Sequence, residues 1–454
     1  MNNQIFLLER LLQINPWIGK ARDSEQAMNM IKALMPVEYI SRQTSSSVVV
    51  QDKAVVIIGP RQAGKTTFAW HCLQQFTPNV LYLNMEDLLV KSELSSPFIL
   101  VDLLMNRLSF IQALFIDEIQ HMQEAGLFLK GLVDSHLGRP ILATGSSSFH
   151  LHARTRESLA GRAVRMKILP FSLTEMTNHI SAHNPLAREQ HVLRLLEDSF
   201  IYGSYPAVHL ADSREGKKQI LTDLCEALIL RDASDVHRIQ RIDAFRKLLT
   251  LLAGQIGSLV NISELASHCQ VDSGTVNSYL EILEESHIIS MVRPYAGGKR
   301  REITSAVKAF FIDNGVRNLL VRNMDENFAL RNDKGALLEN WIFSELIKAL
   351  PFSAGLHYWR SKSGAEVDFV IAAGSDICAV EVKSASLRKP GLSRSARSFI
   401  DAYHPRFFYL VNMTLNDEIS IGSTSVFFIT PAMFADILQS SPLWGRLQPG
   451  RFFS

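Results

Sequence analysis

Between Ala54 and Ile58 the chain reads AVVII, a short unbroken apolar run of the kind that forms a strand buried on both faces. Three further runs, Val80–Leu83, Leu114–Ile116 and Pro140–Thr144, have the same character. A helical pattern follows the first of them, from Thr66 to Phe76. Strands alternating with helices in this way predict a doubly wound α/β domain. Upstream, residues 1–40 read as two short amphipathic helices, separated from Ala54 by the polar and then β-branched stretch SRQTSSSVVV. After Pro170 the pattern turns mainly helical as far as Arg246. Residues 247–322 read helix, helix, turn, helix, strand, basic loop, strand. A helix over 335–350 then precedes strand-like runs at Tyr358–Trp359, Glu366–Ile371 and Ile377–Lys383.

Composition narrows the class. Of the 454 residues 47% are hydrophobic, enough to build several cores and too many for a disordered chain. Lys plus Arg number 47 against 45 Asp plus Glu, a formal charge of +2, so any contact with nucleic acid has to be local. Cys72, Cys225, Cys269 and Cys378 are far apart in sequence, which argues against a disulfide framework or a paired-cysteine metal knuckle and for a reduced compartment. There is no basic leader with a long apolar core and no run of ~18 uncharged apolar residues, so neither a signal peptide nor a membrane span is expected, and the expected location is cytoplasmic.

The loop after the first strand carries the clearest chemistry. Gly59, Pro60, Arg61, Gln62, Ala63, Gly64, Lys65 and Thr66, with Thr67 behind them, fit G-x-x-x-x-G-K-[ST] between a strand and a helix. Glycines let backbone N–H groups curl around an anion, and the helix N-terminus adds its dipole. Lys65 is expected to reach the β- and γ-phosphates of ATP, and Thr66 to place its hydroxyl on Mg²⁺. Asp117, at the end of an apolar strand, would complete the Mg²⁺ shell, and Glu118 would orient or deprotonate the attacking water. At the tip of the strand Pro140–Thr144, Ser146 is the first candidate to sense the γ-phosphate and Thr144 the second. Among Arg154, Arg156, Arg162 and Arg165, Arg162 is the best placed to act as an arginine finger on a neighbouring subunit.

Taken together, GPRQAGKTT (59–67), YLNMED (82–87), LFIDEIQ (114–120), ATGSSS (143–148), ESLAGR (157–162) and YGSYP (202–206) resemble the AAA-type P-loop ATPases of bacteria and archaea that end in a DUF4143 domain. The C-terminal half agrees through RDASDVHRI (231–239), FFIDNGVRN (310–318), GALLENWIFSEL (335–346), YWRSKSGAEVDFVI (358–371) and AVEVKSA (379–385). The resemblance implies an α/β protein in five parts: an N-terminal helical segment (1–50), an AAA-type core (51–175), a helical extension (176–246), a winged helix-turn-helix (247–330), and a C-terminal α/β domain similar to restriction endonucleases and PD-(D/E)XK nucleases (331–454). One departure is Tyr202-Gly203-Ser204, where the family usually has a Gly-Gly pair.

The residues of the last two parts support this in their own terms. Asn261–Cys269 and Gly274–Glu284 read as the two helices of a helix-turn-helix, with Val276, Tyr279, Leu280 and Leu283 on the inner face. Ile288–Val292 and Glu302–Val307 would be wing strands around Lys299, Arg300 and Arg301, which could meet DNA phosphates, as could Arg388, Lys389, Arg394 and Arg397. The outer face of the second helix offers no Lys or Arg, which suits a structural or protein-binding role better. Glu366 and Asp368 share one face of a strand, and Glu381 and Lys383 share one face of the next. Asp368, Glu381 and Lys383 together suit Mg²⁺-assisted phosphodiester hydrolysis, and Glu339 resembles the additional acidic ligand of such nucleases. Three functions follow as expectations: an ATP-hydrolysing protein that controls its C-terminal half, an ATP-regulated nuclease, and an ATP-gated binding module that acts on a protein partner or a second copy.

Overall fold

The computed structural model describes residues 2–18, 24–36, 38–44, 50, 52–145, 159–178, 184–229, 239–295 and 306–440. It divides into two compact units, one made of Met1–Leu169 with Glu285–His287 and the other of Pro170–Glu284 with Ile288–Ser454.

The first unit is built on five parallel strands: β1 (Ala54–Ile58), β2 (Val80–Asn84), β3 (Ala113–Asp117), β4 (Ile141–Gly145) and β5 (Ala163–Lys167), in the order β2-β3-β4-β1-β5. Every residue of β1, β3 and β4 is buried, as their unbroken apolar sequences require. The strand β5 had no place in the sequence reading, because AVRMK alternates and carries two cations. The helix expected to run to Phe76 is α-helical over Lys65–Leu73 and closes with a 3₁₀ turn, Gln74–Phe76. The two N-terminal amphipathic helices form as expected, over Asn2–Ile14 and Ser24–Lys32. They end the sheet at its β2 edge. The Asn15 side chain donates to the Tyr82 carbonyl at 2.9 Å and accepts from the Tyr82 N–H at 2.8 Å, and the Trp17 indole donates to the Val80 carbonyl. An edge strand that would otherwise offer bare backbone groups is thereby capped by its own chain.

The second unit holds an eight-stranded sheet. Its strands are β6 (Ile289–Pro294), β7 (Lys308–Phe311), β8 (Gly355–Arg360), β9 (Glu366–Ala373), β10 (Asp376–Val382), β11 (Phe407–Val411), β12 (Asp417–Ile421) and β13 (Thr424–Ile429), in the order β12-β13-β11-β10-β9-β8-β6-β7. The helix-turn-helix is present as Ile262–Cys269 and Ser273–Glu285, with the Asn261 side chain capping the first helix and Gln270 turning the chain at φ 55°. Val276, Tyr279, Leu280 and Leu283 are its buried face. Of the strand expected at Glu302–Val307, residues 302–305 fall outside the described residues; β7 begins at Lys308, where KAFF is buried throughout. A finding the sequence did not foreshadow is that β6 pairs with β7 on one side and, through Arg293 and Pro294, with His357 and Tyr358 of β8 on the other. The hairpin after the helix-turn-helix is therefore part of the same sheet as the C-terminal strands.

Candidate functional site

In the first unit the glycine positions of the phosphate loop are set by space and by backbone angle. Gly59 has φ 155°, and a Cβ there would lie 1.9 Å from the Ile168 carbonyl oxygen. Gly64 stands at φ 87° as the residue before the Lys65–Leu73 helix, a left-handed conformation that suits glycine. The Lys65 side chain is buried and folds over the loop, its ammonium donating to the Gly59 carbonyl at 3.1 Å and the Pro60 carbonyl at 2.9 Å. Arg42 supports the loop from outside, donating to the carbonyl oxygens of Leu169, at 2.8 Å, and Ala63.

The register Asn84↔Asp117 places the acidic end of β3 at the mouth of the same edge. Asp117 is buried and accepts from three hydroxyls: Thr66 at 3.1 and 3.2 Å, Tyr82 at 3.0 Å, and Thr144. Burial pushes its pKa up and the neighbouring Glu118 adds to that, against the hydroxyl donors. Glu118 shifts the other way. Burial alone would raise it, but the charge of Lys65, a hydrogen bond from Gln120 and the charges of Arg61 and His121 together hold its carboxyl below the usual range. Glu118 thus stays ionised, while its N–H donates to the Thr144 hydroxyl at 3.1 Å. Glu86 gathers Arg61 and His121, at 3.9 and 3.5 Å.

Thr144, the second choice for a γ-phosphate sensor, sits between Asp117 and Glu118; Ser146, the first choice, lies outside the described residues. Arg154 and Arg156 lie outside them too. Arg162 is described, and its carbonyl accepts from the N–H of Ala54, the first residue of β1. That is the opposite end of the strand from the phosphate loop, about 13 Å away at ~3.3 Å per residue. Its guanidinium pairs with Asp134 at 2.6 Å on the surface.

Sequence reasoning missed four residues here. Tyr82 and Gln120 lie within recognised motifs but only the fold aims them at Asp117 and Glu118. Lys167 ends β5 opposite Ile58, beside the start of the loop, and burial lowers its pKa. His287 belongs to the same compact unit. Its Nε2 is buried without a hydrogen-bond partner, and burial with the charges of Lys167 and Lys65 pushes its pKa down to about 3. No sequence signal marks a lone histidine after a helix.

In the second unit the charged cluster is brought together only in part as expected. The pairing Val380↔Phe369 sets Glu381 opposite Asp368 across β10 and β9. Asp368 accepts from the Val382 N–H at 2.7 Å. Glu381 is buried, 2.7 Å from the half-exposed Lys383, and accepts from the Ser393 hydroxyl at 3.2 Å. Glu339, on the helix Lys334–Ala349, points instead toward Lys308, as does Glu366. Burial raises the pKa of both Glu339 and Asp368, and for Glu339 the charge of Asp368 raises it further. Among the described residues no group of three or more His, Cys, Asp or Glu is arranged to hold a metal ion, although Asp368 and Glu381 were expected to do so. Lys299, Arg300 and Arg301 lie outside the described residues, and the exposed Asp272, Ser273, Asn277, Ser278 and Glu281 offer DNA no cation.

A strand-loop-helix phosphate cradle facing an Asp-Glu strand end defines a P-loop fold of the AAA type. Residues 51–177 match the family model of an AAA domain, and residues 334–431 match that of a domain of unknown function, DUF4143. A second domain of unknown function, DUF8612, matches residues 193–327. The chain carries an AAA domain followed by a DUF4143 domain. An uncharacterized protein of Methanocaldococcus jannaschii is 27% identical over 377 residues, covering 80% of this chain and 82% of its own. One of Haemophilus influenzae is 27% identical over 366 residues, covering 77% and 88%. Among solved structures, the Thermotoga maritima RuvB Holliday junction branch migration motor aligns with 59% of this chain and 89% of its own at 16% identity and a TM-score of 0.26. Cdc6p from Pyrobaculum aerophilum aligns with 68% and 97% at 12% and 0.25. Among the described residues no helix is long and apolar enough to cross a membrane.

Proposed function

We propose that the first unit binds ATP with Mg²⁺ and hydrolyses it. The observation that carries this is the Asp117 node: Thr66 at the start of the phosphate-loop helix and Asp117 at the end of β3 present hard oxygen donors within 3.2 Å of each other, beside a buried lysine held on loop carbonyls. That donor set fits Mg²⁺, which prefers oxygen and keeps several waters. When bound, the ion would neutralise phosphate charge as it develops. The chain's own groups do the rest. Lys65 exchanges the Gly59 and Pro60 carbonyls for phosphate oxygens, and the N–H groups of residues 61–66 close around them. Ionised Glu118 orients the attacking water and takes its proton. Thr144, bonded to both acidic residues, ties the position of one to the other.

Arg162, at the opposite end of the strands from its own loop, serves a neighbouring copy's nucleotide in this reading, which makes turnover depend on self-association. Binding of labelled ATP by the purified chain, lost in Lys65→Ala, is the direct test; equal binding by both proteins, or by neither, sinks it. A second reading, Mg²⁺-dependent cleavage of DNA, draws on Asp368 and Glu381 facing each other across β9 and β10. Plasmid nicking abolished by Asp368→Ala or Lys383→Ala and kept by Lys65→Ala would support it; a chain that leaves plasmid intact under Mg²⁺ would not.

A further inference from the structure

The charged cluster of the second unit contains a residue that no motif assigns. Lys308, the first residue of β7, has a side chain only 4% exposed. Its ammonium lies 2.6 Å from Glu366 and 3.4 Å from Glu339, and 5.4 Å from the centre of the Tyr358 ring. Asp368 adds its field to the same ammonium. Two carboxylates, one from a helix and one from β9, therefore meet one buried cation supplied by a third element. The motif lysine, Lys383, does not share this position; it is 45% exposed and answers Glu381. Asp368 also accepts from the Val382 N–H, and Glu381 from the Ser393 hydroxyl.

Physical chemistry makes this arrangement exclusive. Sunken carboxylates cost several kcal/mol each unless a cation and hydrogen bonds answer them. An ammonium answers with one charge and three donors, whereas a divalent ion answers with two charges but requires oxygens at ~2.0–2.6 Å on several sides. Both cannot occupy the space between Glu339 and Glu366. We propose that Lys308 is the resident cation of this cluster, supplying the counter-charge that part-buried Glu339 and Glu366 require, and that it keeps the native chain from binding a divalent ion there. The proposal is independent of the ATP reading, since all of its residues lie in the second unit.

The test is Mn²⁺ titration of the full chain, followed by electron paramagnetic resonance, in an Asp117→Asn background that silences the nucleotide site. The parent is expected to bind no Mn²⁺ in a manner that Glu339→Gln alters. Lys308→Met is expected to gain a site about tenfold tighter than any residual binding. Adding Glu339→Gln removes it, and Lys308→Arg, which keeps the cation, gains none. Mn²⁺ binding by the parent that Glu339→Gln abolishes overturns the proposal, and this arm needs no Lys308 variant to fold. A folded Lys308→Met that gains no site, or a Lys308→Arg that gains the same one, overturns it as well.

Discussion

Asp117 collects three hydroxyl donors on one buried carboxylate, and each has a separable role. Thr66 is a prospective metal ligand, Tyr82 holds the carboxylate, and Thr144 ties it to Glu118. Tyr82→Phe deletes one hydrogen bond to a charged group, worth about 1.5–3 kcal/mol. It should raise the Mg²⁺ concentration needed for half-maximal ATP turnover while leaving metal-free nucleotide binding near the parent value, as a Mg²⁺ titration of turnover would read. If Glu118 is the base proposed above, Glu118→Gln keeps the fold and the nucleotide but loses it. Turnover should fall by about 10²–10⁴-fold with little change in the dissociation constant of ATP. The motif residues of this site were legible in the sequence because the backbone of one loop and one strand end suffices to hold them. Tyr82, Gln120 and His287 were not, because their roles depend on which strand or turn lies beside them.

At the scale of elements, the Tyr202-Gly203-Ser204 turn shows why one glycine is fixed and the next is free. Gly203 has φ 74° and ψ −157°, a region essentially closed to other residues, and a Cβ there would lie 2.0 Å from an Asp313 oxygen. Ser204 donates its N–H to Asp313 at 2.7 Å and its hydroxyl accepts from Lys348 at 3.2 Å, so the departure from Gly-Gly adds a contact. Gly203→Ala should lower stability by about 1–3 kcal/mol or more in denaturant unfolding, and Ser204→Gly by less. A second element, the turn into the helix Lys334–Ala349, rests on Asp333. Burial would raise its pKa, but hydrogen bonds and charge from Arg331 and Arg317 bring it from 3.8 down to about 2. A carboxyl whose folded pKa is depressed contributes stability above its unfolded pKa and loses it as the pH falls through the folded one. Acid unfolding between pH about 4 and about 2 should therefore be shallower in Asp333→Asn, as followed by far-ultraviolet circular dichroism.

At the scale of the molecule, the pairing of β6 with β8 makes the helix-turn-helix hairpin and the C-terminal strands one sheet. A fragment beginning at residue 331 keeps the DUF4143 match but loses β6, β7 and Lys308, and bares the edge of β8 at His357 and Tyr358. Such an edge invites pairing with other chains, and Glu339 and Glu366 lose their cation. The fragment should associate or unfold on size-exclusion chromatography under conditions where the full chain does not. Arg162 gives a second prediction at this scale. If it completes a neighbour's site, Arg162→Ala leaves ATP binding unchanged and removes the dependence of specific turnover on protein concentration.

What the sequence determined by itself was local: the phosphate loop, the strands at Ala54–Ile58 and Leu114–Ile116, the first helix of the helix-turn-helix, and the alternation that places Glu366 with Asp368. In each case a few consecutive residues carry both the signal and the cause, through backbone freedom, burial of a short strand, or the period of a helix or strand. The tertiary structure decided what lies between elements distant in sequence. It brought β5 into the first sheet despite its two cations, carried β6 across to β8, and set Lys308 between Glu339 and Glu366. The reason is that charge pairing and sheet order are fixed by neighbours across space, and a lysine at the start of a strand reads the same in sequence whether it faces water or answers two part-buried carboxylates.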